Sequence, residues 1–209
     1  MSAQIKQGTA AWYAARTGVL TASRMPAAMS RLKSGADSAE RKALKIEILA
    51  ERLTGDVVPH YVTPAMQHGI DTEPAARAAY ELARGVLVEE CGFISHPTIG
   101  DYGCSPDGRI GKLLGVEIKC PTTAKYLGWR LAGVVPDEHK AQMTAQCVCA
   151  GFEAVEFIAF DPRLPKHLQL FVVRFRPTQE ERDSVEAAAR EFLAEVDQMF
   201  QQLTETEPA

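Results

Sequence analysis

The segment from Ser105 to Lys119 constrains the fold of this chain more than any other. It begins Ser105-Pro106-Asp107-Gly108, has further glycines at 111 and 115, and ends Glu117-Ile118-Lys119. The glycines favour a chain reversal, so we predict a strand over residues 102–107 that returns as a second strand. Residues i and i+2 of a strand share a face, so Glu117 and Lys119 point together while Ile118 points to the opposite, apolar side. The hairpin therefore brings two carboxylates and one ammonium together.

This set of side chains predicts a metal-dependent phosphodiesterase. The carboxylates of Asp107 and Glu117 are hard oxygen ligands that suit Mg2+, which keeps several waters and also accepts phosphate oxygens. The main-chain carbonyl of Ile118 is a further candidate ligand, and Mn2+ can substitute for Mg2+. Lys119 would lie near the attacking water, where its charge favours hydroxide and offsets the charge that develops on the phosphate. A Glu-Ile-Lys sequence alone is more often a solvated charge pair, but the Ser-Pro-Asp-Gly sequence at this spacing favours a site.

The two halves of the hairpin resemble the PD-(D/E)xK nucleases and, within them, the lambda exonuclease or YqaJ-like viral recombinase family. The resemblance extends over about residues 7–203, which one short motif could not achieve by chance. It implies an α/β (α+β) fold with a restriction-endonuclease-like core, in which helices flank a central mixed β-sheet. Outside the hairpin, the matching residues are Gln7-Gly8, Ala11-Trp12, Arg16, Gly18-Val19, Thr21-Ala22-Ser23, Met66 to Gly69, Glu73, Gln142 and Phe160 to Arg163.

The resemblance implies a Mg2+-dependent exonuclease that degrades linear double-stranded DNA with a 5'-phosphate in the 5'-to-3' direction. It would release 5'-mononucleotides and leave 3' single-stranded DNA for a phage-type single-strand annealing protein. The resemblance also implies a homotrimeric ring, encoded by a phage or prophage and located in the cytoplasm of a bacterial host. Two alternatives remain open. One is a site-specific or structure-specific endonuclease with the same residues, and the other is a noncatalytic DNA-end clamp.

Two further polar residues gain a role from the resemblance. Glu73 would assist the metal centre or bind a second ion, and Gln142 would hydrogen-bond to water or phosphate in the site. Without the resemblance, each would be interpreted as part of the polar face of a helix. The family has a second glutamine two positions after the first, where this chain has Thr144. Gln146 is expected to be misplaced by half a helical turn.

The resemblance also implies a pocket for a terminal 5'-phosphate, in which a guanidinium, an ammonium and two hydroxyls bind the dianion. Met66 falls where a family apolar side chain wedges between the terminal base pairs, although a methionine on a helix is more often core. Trp12 either stacks on DNA or anchors the first helix. The residues at the pocket positions are Arg16, Ser23, Lys33 and Ser105, of which Ser23 could equally be a helix N-cap.

Composition agrees with one globular domain over residues 1–209, with frayed tails at 1–8 and 204–209. The chain is 46% hydrophobic, and no apolar run approaches a membrane span or the core of a signal peptide, so we expect a soluble intracellular protein. Its five cysteines include no CxxC pair, which argues against zinc and iron-sulfur sites and favours reduced, buried thiols. The histidines show no metal-ligand spacing.

The net charge of -4 is unusual for a protein that binds phosphates. A ring that encloses its substrate would reconcile the negative net charge with DNA binding. The closed ring would keep the DNA from dissociating, so basic residues would be needed only in the channel.

Patterns of caps and apolar residues predict the remaining elements. The last helix begins at a capping box of Thr178 and Glu181. Apolar stripes are expected to include Leu53 in the helix that ends at Gly55 and Leu203 in the last helix. The expected elements are helices from Asp37 or Ser38 to Gly55, from Thr63 to Gly85 with a kink or restart near Pro74, from Thr122 or Thr123 to Gly133, and from an Asp137 cap to Gly151, with strands over Val86 to Ser95, Ala154 to Phe160 and His167 to Phe175.

Overall fold

The structure, a computed structural model, describes residues 5–57 and 62–205. Short 3-10 turns occupy Ala22–Arg24 and Lys166–Leu168. Within the described residues, the strands are β1 (Leu20–Thr21), β2 (Ile94–Ser95), β3 (Tyr102–Cys104), β4 (Gly108–Ile110), β5 (Leu114–Lys119), β6 (Ala154–Phe160) and β7 (Leu170–Phe175). The helices are α1 (Ala10–Ala14), α2 (Met25–Ala28), α3 (Ala39–Thr54), α4 (Pro64–Arg84), α5 (Thr123–Ala132), α6 (Asp137–Ala150) and α7 (Gln179–Thr204).

The strands form two mixed sheets flanked by helices. A four-stranded sheet has the order β4-β5-β6-β7, in which β5 and β6 are parallel and the other pairs are antiparallel. A smaller sheet has the order β1-β3-β2, with β1 parallel and β2 antiparallel to β3. The crossover from β5 to β6 contains α5 and α6, as a parallel pair requires. The mixed α/β fold is thus confirmed, although its strands are divided between two sheets.

The strand expected over residues 102–107 is wrong, because this segment is shared between the two sheets. β3 ends at Cys104, and the strand that pairs with β5 begins only at Gly108. Pro106 lies between them and has no amide hydrogen for a ladder, so pairing stops and the chain changes sheet. The predicted reversal follows at Gly111, whose φ of +61° is one that glycine adopts without strain.

Apolar clusters cover both faces of the four-stranded sheet. On one face, Tyr126 of α5 and Met143 of α6 pack against Phe157. On the other face, Ala76 and Tyr80 of α4 pack in a cluster that includes Ile118. A third cluster joins the smaller sheet to α2, α3, α6 and α7. β5 therefore lies between α4 and α6 and presents alternate residues to each.

Capping residues predicted several helix ends correctly. Ser38 caps α3, and Thr178 and Glu181 form the capping box of α7. Left-handed glycines end four of the helices, as expected from the enrichment of glycine at this position. The N-cap of α6 is Pro136, so the expected cap at Asp137 is wrong by one residue.

Other boundaries differ from the predictions. α4 continues through Pro74 without a break, because packing of Ala76 and Tyr80 outweighs the one backbone hydrogen bond that proline removes. The strand expected from Val86 contains regular pairing only in β2, preceded by an isolated bridge between Glu89 and Arg109. The strand expected from residue 167 begins at residue 170, after the second 3-10 turn.

Two leucines assigned to apolar stripes, Leu53 and Leu203, are exposed, so that part of the core prediction is wrong. In the segment 1–8, which is predicted to fray, the side chain of Gln7 donates to the carbonyls of Cys91 and Pro106, and the fraying of this segment stays a prediction. Residues 1–4 and 206–209 lie outside the described residues. All five cysteines are free thiols. No described helix combines the length and the apolar character that a membrane crossing would need.

Candidate active site

The hairpin of β4 and β5 brings Asp107, Glu117 and Lys119 together. The register that pairs Gly108 with Val116 places Asp107 alongside Glu117. Asp107 Oδ2 accepts a hydrogen bond of 2.6 Å from the amide of Ile118, and Lys119 Nζ lies 2.5 Å from Glu117 Oε1. The side chain of Ile118 packs in the apolar cluster beneath α4. The convergence of the three charged groups is therefore present.

Burial makes this group of charges unusual. Burial, and then the neighbouring charge of Glu117, raises the pKa of Asp107 well above its ordinary value. Burial lowers the pKa of Lys119, but the carboxylates of Glu117 and Asp107 outweigh it, so the net shift is upward. The almost completely buried carboxylate of Glu117 and the half-buried carboxylate of Asp107 thus share one ammonium. This arrangement favours the binding of further positive charge.

Glu117 is held by two amides from α6. Gln142 Nε2 donates to Glu117 Oε1 at 2.6 Å, and Gln146 Nε2 donates to Glu117 Oε2 at 2.5 Å. The expectation that Gln146 is misplaced is wrong, because residues four apart lie on the same face of a helix. Thr144 is buried and lies about 200° around α6 from Gln142. The role expected for Gln142, contact with water or phosphate, stays a prediction.

Glu73 lines the same cavity, which has a volume of about 570 Å³ and is also lined by Asp107, Ile118 and Lys119. Its carboxylate lies 3.1 Å from Arg77, which also donates to the carbonyl of Asp107 at 2.7 Å. The sequence reasoning missed Arg77. It lies four residues after Glu73 on α4, a spacing that could have suggested the pair.

The donor set fits Mg2+. In the described part of the chain, no three side chains of histidine, cysteine, aspartate or glutamate are arranged to hold a metal ion. The two adjacent carboxylates and the Ile118 carbonyl are a small set of hard oxygen donors. Such a set suits Mg2+, which commonly takes one or two protein carboxylates and completes its shell with waters and phosphate oxygens. The assignment of Glu73 as an additional ligand stays a prediction.

A second cavity of about 430 Å³ is lined by two of the four residues predicted to bind a terminal phosphate, Arg16 and Ser23, and also by Trp12 and Met66. Arg16 lies with its guanidinium carbon 4.0 Å from the ring centre of Trp12. Burial, and then the charge of Arg24, lowers the pKa of Arg16 to about 10. Among the described residues, the guanidinium of Arg16 makes no hydrogen bond or ion pair, whereas Arg24 pairs with Glu47 and Glu51. Arg16 is therefore a cation available to an anion.

Two contacts connect this cavity to the first one. Trp12 Nε1 donates to Ser105 Oγ at 3.0 Å, so the tryptophan connects Arg16 to the segment that carries Asp107. Met66, which is exposed, lines both cavities. Met66 is thus not a core residue but forms a wall shared by the two cavities, and its wedging between the terminal base pairs stays a prediction.

The other candidates for the phosphate pocket, Ser23 and Lys33, differ in whether they line the cavity. Ser23 lines the cavity, with its hydroxyl 3.2 Å from that of Thr21. Thr21 occupies the N-cap position of the 3-10 turn, so the interpretation of Ser23 as an N-cap is wrong. Lys33 is exposed in the segment between α2 and α3 and is not among the residues that line either cavity. Its role in phosphate binding stays a prediction.

Comparison with known proteins gives consistent matches. The family model of the YqaJ-like viral recombinase domain matches residues 11–153. The crystal structure of an alkaline exonuclease, LHK-Exo, from Laribacter hongkongensis is 36% identical, with a TM-score of 0.87 over 94% of this chain and 97% of that chain. LHK-Exo in complex with dAMP has the same identity and coverage and a TM-score of 0.88.

A phage related exonuclease from Haemophilus somnus 129PT is 13% identical, with a TM-score of 0.67 over 89% of this chain and 96% of that chain, and shows likeness in fold alone. A search of curated proteins found no match.

Proposed function

The chain belongs to the YqaJ-like viral recombinase family, and from this premise we propose that it is a Mg2+-dependent 5'-to-3' exonuclease acting on double-stranded DNA. The observation that carries the proposal is the convergence of Asp107, Glu117 and Lys119 on one hairpin. The likeness to alkaline exonucleases at 36% identity supports the nuclease class.

The residues of the hairpin would have different roles in the reaction. Asp107, Glu117 and the Ile118 carbonyl would hold Mg2+, which when bound polarises the scissile phosphate and lowers the pKa of a coordinated water. Lys119 supplies a fixed positive charge that stabilises hydroxide and the excess negative charge of the transition state. Arg77 fixes the backbone of Asp107, while the amides on α6 orient Glu117.

The cavity at Arg16 supports the proposed direction of digestion. A terminal 5'-phosphate carries nearly two negative charges near neutral pH, so Arg16 distinguishes it from an internal diester with one charge. Met66 separates this cavity from the catalytic one, and a phosphate seated at Arg16 would place the next phosphodiester across that wall. Hydrolysis would regenerate a 5'-phosphate. The dAMP bound to LHK-Exo supports release of mononucleotides.

The same family membership supports a proposal for the assembly and the partners of the chain. We propose a homotrimeric ring around DNA, because a chain with a net charge of -4 gains little from nonspecific attraction to phosphates. The 3' single strand would pass to a phage-type annealing protein in the cytoplasm of a bacterial host. Family membership supports this setting.

Digestion of defined DNA substrates tests the proposal. Linear duplexes with a 5'-phosphate or a 5'-hydroxyl, and closed circular DNA, are incubated with and without Mg2+, with Asp107→Asn as the inactive control. We expect 5'-mononucleotides from the linear substrates only with Mg2+, and faster digestion of the phosphorylated end. Cutting of closed circles would indicate an endonuclease, and end binding without digestion would indicate a clamp.

A further inference from the structure

The carboxylate of Glu117 is almost completely buried, and donors contact both of its oxygens. Gln142 and Lys119 contact Oε1, whereas Gln146 is the donor to Oε2 among the described residues. A buried carboxylate is costly unless each oxygen accepts hydrogen bonds, because it has lost its water. Removal of Gln146 would therefore leave one oxygen without its partner.

The two glutamines have different surroundings. Gln142 is half-buried, and its amide shares Oε1 of Glu117 with Lys119. Gln146 is only 1% exposed, and within the described chain its Oε1 has no hydrogen-bond partner. The reverse orientation of the amide would bring Oε1 against Oε2 of Glu117, so the contact with Glu117 determines how this side chain is placed.

A buried glutamine with an unpaired carbonyl oxygen is a poor choice for stability alone. An unsatisfied buried acceptor destabilises the fold because its lost hydration is not replaced, a penalty that an apolar side chain of similar size would avoid. The unpaired Oε1 of Gln146 therefore offsets part of the stabilisation that its Nε2 group contributes. That stabilisation comes from the hydrogen bond to Glu117.

From this geometry we infer that Gln146 is a positioning residue that fixes the Glu117 carboxylate for metal binding. This inference rests on the proposed function for its metal. Thr144 is on the far side of α6 and cannot substitute, whereas Gln146, one turn after Gln142, lies on the same face. Gln146 provides the contact to Oε2, and Gln142 provides a contact to Oε1, which also has Lys119 beside it.

A double-mutant cycle in chelator tests the contact without metal. Gln146→Met, which keeps the size of the side chain, Glu117→Gln and the double variant are unfolded with urea. Thr144→Val, an equally buried change on the same helix, is combined with Glu117→Gln as the control cycle. We expect the shifts in the urea midpoint of unfolding to be non-additive when Gln146→Met is combined with Glu117→Gln. The shifts should be additive when Thr144→Val is combined with Glu117→Gln. Additive shifts for Gln146 overturn the inference, whatever the substrate of the protein.

Titration with Mn2+ alone, followed by electron paramagnetic resonance, tests the consequence. We expect Gln146→Met to bind Mn2+ about tenfold more weakly than wild type, and Thr144→Val to match wild type. Turnover of linear duplex should fall in kcat with KM for DNA unchanged. Wild-type Mn2+ affinity and kcat in Gln146→Met would overturn the positioning role. Non-additivity together with cutting of closed circles would support the role of Gln146 and reject only the proposed exonuclease.

Discussion

Replacement of Arg16 by alanine should remove much of the preference for a phosphorylated end. The guanidinium lines the second cavity against Trp12, and among the described residues it has no carboxylate partner that a phosphate must displace. Its pKa of about 10 leaves it charged at the pH of a nuclease assay. Arg16→Ala removes this charge, whereas Arg24 keeps its pairs with Glu47 and Glu51.

The size of the effect follows from the chemistry of the contact. A hydrogen bond to a charged group contributes about 1.5–3 kcal/mol, and loss of that amount lowers the preference by about 10-fold to 150-fold. We expect the upper part of this range, because Arg16 is half-buried and makes no competing ion pair among the described residues. Arg16→Lys should retain part of the preference, because it keeps the charge but loses the two-pronged geometry.

The assay compares initial rates on duplexes that differ only in a 5'-phosphate or a 5'-hydroxyl. Arg190→Ala, which removes an exposed arginine of α7, is the control and should keep the wild-type ratio. The reasoning would be refuted if wild type digested both ends equally fast. It would also be refuted if Arg16→Ala lost activity while it kept the full phosphate preference.

Three other predictions concern the metal and the assembly. Asp107→Ala or Glu117→Ala should abolish cleavage by removing a ligand, whereas Lys119→Ala should abolish it with Mn2+ still bound; near wild-type turnover in any of them would remove the assignment. The pKa of Asp107 is raised, so Mg2+ competes with a proton for this carboxylate. The affinity for Mg2+, measured by calorimetry, should therefore rise with pH and fall in acid. An affinity that does not depend on pH would contradict this prediction. Sedimentation at micromolar concentration should give about three times the 22.8 kDa chain mass, and a monomer that is processive would exclude enclosure by a ring.

The hairpin that carries Asp107, Glu117 and Lys119 could be predicted in part from sequence because its geometry is local. The two-residue period of a strand determines that Glu117 and Lys119 share a face, and the glycines determine where the chain reverses. Helix ends such as Ser38 and Gly55 could also be predicted from sequence, since a cap is defined by a few neighbouring residues.

The supporting contacts could not be predicted in the same way. The contact of Gln146 with Glu117 depends on how α6 crosses the four-stranded sheet, which joins residues 29 positions apart. The hydrogen bond from Trp12 to Ser105 spans 93 positions. The continuation of α4 through Pro74 also depends on tertiary packing, which outweighed the local signal.

Asp107 has two roles, because its carboxylate is a candidate metal ligand and also accepts a hydrogen bond from the amide of Ile118. Its carboxylate stands where a backbone carbonyl would continue the ladder beyond Gly108, so the candidate metal ligand also closes the end of the hairpin. Alanine removes both roles, whereas asparagine keeps an oxygen that can accept from Ile118. An asparagine variant is thus the better choice for trapping an uncleaved DNA complex, because the hairpin beneath the substrate keeps its shape.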